Sequence, residues 1–136
     1  MRAYGLEKPM GERKPLLADG SIVGSYEPLF RYWEAAKKRG LEEVAIGREE
    51  LEFIERRVRG SGRVNLLQLR SEVTERFLPR INPEAAKEAF ESLGMRLTPE
   101  EARQKIAEIL AGWALEAART LLIVDFKGWV PREEDR

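Results

Sequence analysis

Neither cysteine nor histidine occurs among these 136 residues. Disulfides, thiolate nucleophiles, thiolate zinc sites and histidine-based acid–base catalysis are therefore excluded together. Asparagine and glutamine are scarce, limited to Asn65, Asn82, Gln68 and Gln104, while arginine outnumbers lysine 17 to 7. Depletion of thermolabile amides would suit a thermophilic source, and a high-GC genome would give the same arginine bias. Net charge is missing too: Lys plus Arg and Asp plus Glu stand at 24 each. A balanced chain has no overall pull toward nucleic acid or an anionic membrane. The longest apolar stretch, 109–126, is broken by Glu116, Arg119 and Asp125, so it reads as a buried helix rather than a span. Charges and prolines occupy residues 1–14 where a secretory signal needs an apolar run, which predicts a soluble intracellular chain.

Hydrophobic residues make up 43% and charged residues 35%, a balance that suits one soluble, helix-rich domain. Residues 1–24 scatter Gly5, Pro9, Gly11, Pro15, Gly20 and Gly24 through a segment without helical periodicity. They read as an extended arm whose Tyr4, Leu6, Leu16 and Leu17 are more apolar than a linker needs. Residues 25–130 read as a helical domain and 131–136 as a charged tail.

Five helices are expected in that domain, giving an all-α fold packed as a compact bundle. The first, 27–39, has Ser25 before it, Pro28 in its first turn and Gly40 after it. The second, 48–58, opens on Glu49 and Glu50 and closes in arginines, both favourable to the helix dipole. The third, 66–78, carries a stripe of Leu66, Leu69, Val73 and Phe77 before Pro79. Asn82 caps a fourth, 83–93, which ends at Gly94. Thr98-Pro99-Glu100-Glu101 forms a capping box for a fifth that continues toward Val124. Short extended segments near 63–65 and 95–98 would pair with one another.

The densest local signal is the run Arg56-Arg57-Val58-Arg59-Gly60-Ser61-Gly62-Arg63. Guanidinium groups beside flexible backbone can hold phosphates or carboxylates by charge-assisted pairs. The competing reading is local: arginines in a last helical turn complement the dipole, and a following glycine caps it. Enzymatic chemistry has less to rest on. The pairs Glu42/Glu43, Glu49/Glu50 and Glu100/Glu101 are adjacent, and adjacent helical side chains diverge by about 100°. No phosphate loop, dinucleotide fingerprint or nucleophile elbow is present.

Gly62-Arg63-Val64-Asn65 and Met95-Arg96-Leu97-Thr98 each lead into a helix, so a helix–extended segment–helix unit is written twice. This resembles a pair of EF-hands over residues 48–110, with loops at 57–68 and 90–101 and pairing at Val64 and Leu97. Calcium requires several oxygen ligands at fixed loop positions. Arg57, Arg59 and Ser61 in one loop, and Phe90, Ser92 and Gly94 in the other, make this resemblance a calcium-incompetent one. It implies a protein-binding module with no metal and no cofactor. The entry into the third helix also resembles a winged helix-turn-helix, with 82–94 as recognition helix. Glu84, Glu88 and Glu91 against Lys87 would then face the groove, a poor surface for reading bases.

The expectation is a non-catalytic protein-binding or structural subunit with a protein partner. Contacts would come from Tyr4, Leu6, Leu16 and Leu17 on the arm and from Arg56, Arg57, Arg59 and Arg63. The alternative is a nucleic-acid-associated factor using those arginines on phosphates.

Overall fold

The structure, a computed structural model, describes residues 26–61 and 66–121. The arm residues Tyr4, Leu6, Leu16 and Leu17, together with Arg63, the 63–65 segment and the charged tail, lie outside the described residues. Five α-helices follow in order: α1 Glu27–Lys38, α2 Arg48–Ser61, α3 Leu66–Phe77, α4 Pro83–Glu91 and α5 Pro99–Leu121. A single 3-10 turn, Leu78–Arg80, joins α3 to α4. No strand occurs among the described residues, and 95–98 is an irregular connection.

Local chemistry accounts for most helix ends. Thr98 Oγ1 accepts the Glu101 N–H at 3.0 Å while Glu101 Oε1 accepts the Thr98 N–H at 3.0 Å, a reciprocal capping box. Asn82 Oδ1 accepts the Ala85 N–H at 2.9 Å and starts α4. Gly40 and Gly94 end α1 and α4 with φ of 73° and 82°, a region costly for any side chain. Their neighbours complete the pattern: Leu41 N–H reaches back to Ala36 O, and Met95 N–H to Phe90 O, each at 2.9 Å.

Two ends differ from the sequence expectation. Tyr26, rather than Ser25, occupies the N-cap of α1, with no side-chain cap. Helix α2 runs through Gly60 to Ser61, so Gly60 is a helical residue and not the cap. Only Arg59 stands in the last turn of α2, which removes Arg56 and Arg57 from the dipole-complementing role.

The core forms around α5. Helices α1, α2, α3 and α4 all pack against it, α1 also against α4, and α2 against α3. Every residue from 111 to 118 on α5 is buried, as a helix surrounded on all sides requires. Ala102, Ala107, Ala111, Ala114, Ala117 and Ala118 are all buried, and their small side chains let neighbouring helices approach closely. Leu69, Val73 and Phe77 of the α3 stripe are fully buried, as their spacing predicts. Tyr32 and Trp33 are buried while Phe30 is partly so, because one helix face cannot enclose all three. Trp113 meets both Tyr26 and Trp33 edge-on, at centroid distances of 6.3 and 5.9 Å. Glu116, an interruption in the apolar stretch, is buried and accepts the Tyr26 hydroxyl at 3.1 Å.

Candidate interaction face

Helix geometry divides the arginine run. Arg57 turns to α3, where its Nε and Nη2 donate to the two oxygens of Glu72 at 2.8 and 3.0 Å. That bidentate bracket holds the Glu72 carboxyl below its ordinary range, chiefly through the hydrogen bonds, and raises Arg57 in turn. Arg59 pairs with Glu55 one turn earlier at 2.9 Å on the exposed side. Arg56 is exposed on α2, three residues from Arg59 and therefore on the same side. The described arginines thus do not converge on one point: Arg57 braces two helices, and Arg56 and Arg59 face outward.

A different constellation is assembled from segments distant in sequence. One hollow, of about 600 Å3, is floored by Phe30 and Trp33 of α1 and closed by Leu41, with Glu34, Lys37 and Glu43 at its rim. Leu41 also lines a second, of about 460 Å3, between the α1–α2 connection and residues 79–83. Tyr32 lies in this second hollow, where its hydroxyl accepts the Asn82 N–H at 3.0 Å. Burial pushes the Tyr32 phenol above its usual range, and the Asn82 bond offsets part of that. Arg80 lines the second hollow and also a third, of about 640 Å3, at the start of α2 with Arg48, Glu49, Glu50 and Arg76. Shared walls at Leu41 and Arg80 make the three hollows one trough.

The cationic end of the trough is built by exact local constraints on two side chains. Pro79 cannot extend α3, so the chain tightens into the 3-10 turn that carries Arg80. Arg103 of α5 donates to Leu78 O at 3.0 Å and pins that turn from below. Arg80 then reaches Glu50 Oε2 at 3.1 Å and lies 5.6 Å from the Phe77 ring centre. The other Glu50 oxygen accepts the Gly47 N–H at 2.8 Å, so this buried carboxylate is engaged at both ends. Arg76 has no carboxylate partner among the described residues. Its guanidinium rests over the Phe53 ring, 4.6 Å from the centroid. Chemically, the trough offers aromatic and aliphatic surface at one end and oriented guanidinium donors at the other.

The acidic face of α4 has an internal use. Glu88 binds Lys38 and Arg39 at the end of α1, which lowers its carboxyl below the ordinary range, and Lys87 pairs with Glu91. No cluster of acidic side chains suited to a metal ion occurs among the described residues. None of their helices is long and apolar enough to cross a membrane.

No family model, curated protein or solved structure matches this chain. The trough was not apparent from sequence. Arg76 and Arg80 are four residues apart, but the intervening proline conceals that both accompany the third helix. Leu41 follows a helix-ending glycine and looks like an ordinary loop residue, yet it is one of three exposed large hydrophobics among the described residues.

Proposed function

We propose that the chain is a non-catalytic protein-binding or structural subunit of a larger assembly. The observation that carries this reading is the trough, in which exposed Leu41 joins an aromatic hollow to an arginine-bearing one. Apolar anchors beside oriented arginines are the surface composition that partners bury at interfaces. The arm is the second contact in this proposal, with Tyr4, Leu6, Leu16 and Leu17 gaining order against the partner. The calcium-incompetent EF-hand resemblance is in keeping with a binding module, and remains part of the proposal.

Affinity capture from the native source, with tagged full-length chain and parallel nuclease treatment, tests the reading. A reproducible protein partner that survives nuclease is expected, with Leu16→Asp plus Leu17→Asp reducing its recovery. Absence of any such partner would overturn it.

A second reading, phosphate contact with nucleic acid, is favoured by Arg56 standing exposed beside Arg59 on α2. With Arg57 committed to Glu72, Arg56, Arg59 and Arg63 would carry it. Capture lost on nuclease treatment, and a binding slope against salt that falls by about one per arginine removed, would establish it.

A further inference from the structure

We infer that the trough takes an extended peptide of a partner protein, lying with its acidic end against Arg48, Arg76 and Arg80 and an aliphatic or aromatic residue at Phe30 and Trp33. This rests on the protein-binding reading and specifies the chemistry and direction of its ligand.

Charge complementarity selects the occupant. At one end the cations are Arg48, Arg76 and Arg80, and of the two neighbouring carboxylates Glu50 already has both oxygens engaged. Arg76 is oriented by an aromatic ring rather than by a carboxylate, so its N–H edge is available to an incoming acid. Arg80 has further donors beyond the one given to Glu50, since a guanidinium carries five. At the other end Glu34, Glu42 and Glu43 outnumber Lys37 around the two hollows that share Leu41. An acidic segment is repelled there and attracted at the arginines, which sets one direction along the trough. Continuity through Leu41 and Arg80 favours a strand-like ligand over a compact one.

The test uses the full-length 15N-labelled chain and a short synthetic peptide with leucines at one end and glutamates at the other. Its counterpart has lysines in place of the glutamates, and an oligothymidylate of equal charge serves as the phosphate probe. The acidic peptide is expected to shift the Leu41 amide, the Trp33 indole N–H and the Nε signals of Arg76 and Arg80 together. Arg48→Glu and, separately, Arg76→Glu should each weaken it about tenfold. Arg48→Glu is the safer variant for folding, because an acid in the first turn of α2 suits the helix dipole.

Equal shifts with the lysine peptide, or none with the acidic one, would overturn the inference. Stronger perturbation of the same signals by oligothymidylate would assign the trough to phosphate. Movement of those signals in Leu16→Asp plus Leu17→Asp, before any peptide is added, would assign it to the chain's own arm. A nuclease-resistant partner captured equally by wild type and Arg48→Glu would sink the trough and leave the wider reading intact. Peptide binding without any such partner would do the reverse.

Discussion

Tyr32 combines two demands that pull its ionisation in opposite directions. Its buried ring disfavours a phenolate, whereas the Asn82 N–H favours one, and burial is the larger effect. A raised folded pKa gives a contribution to stability that is whole below the ordinary value of 10.0 and is lost as pH rises through the raised one. We therefore expect one of the three tyrosines to ionise late in an ultraviolet titration, coupled to alkaline unfolding. Tyr32→Phe should abolish that late phase; its persistence would assign the phase elsewhere. The Arg57–Glu72 bracket has the opposite sign. A depressed carboxyl stabilises above the ordinary 4.5 and loses that contribution as pH falls through its lowered folded value. A double-mutant cycle with Arg57→Ala and Glu72→Ala should give a coupling of about 0.5–1 kcal/mol at neutral pH, because the pair is partly solvated. The coupling should fade in acid, and a value that holds constant there would rule out the ionic account.

Helices show how far local sequence carries. The caps at Asn82 and Thr98 and the stops at Gly40 and Gly94 are legible because every participant lies within a few residues of the helix end. The end of α2 is not legible in the same way. Gly60 looks like a stop, yet it lacks the positive φ of Gly40 and Gly94 and sits inside the helix. Packing of Val58 and the Arg57 bracket continue the helix past a residue of poor propensity. The trough was least legible, since Leu41, Arg48 and Arg76 come together only after α1, α2 and α3 have found their places. Substitution separates the glycines by sign. A Cβ added at Gly60 meets nothing within 4 Å, so Gly60→Ala should stabilise by about 0.5–1 kcal/mol. Gly94→Ala, equally uncrowded but held at φ 82°, should destabilise by about 1–2 kcal/mol. Urea denaturation of the two variants measures both, and a shared sign would mean that α2 does not extend through Gly60.

At the scale of the whole molecule, α5 is the only helix that the others all share. Among the described residues the α1/α4 pair makes no helix-to-helix contact with the α2/α3 pair, and each pair packs on α5. Cooperativity between the two pairs must therefore pass through that helix and the connecting segments. The alanines of α5 are fully enclosed, so the space at Ala114 is set by neighbours that cannot all retreat together. Ala114→Leu should cost about 1–3 kcal/mol by overpacking, and Leu110→Ala about 2–5 kcal/mol by leaving a cavity. Both losses should fall on the two pairs at once. Far-ultraviolet circular dichroism follows all five helices, whereas tryptophan fluorescence samples the Trp33–Trp113 contact between α1 and α5. If α5 couples the pairs, these signals lose structure at one common denaturant concentration in the wild type and in each variant. A variant in which fluorescence falls first, while much of the helical signal survives, would show that α2 and α3 stand without the α1/α4 pair. The trough spans that division, with Phe30 and Trp33 on α1 and Arg48 and Arg76 on α2 and α3. Its two ends hold their spacing only while α5 keeps both pairs in register, so loss of coupling should abolish peptide binding before it abolishes helix content.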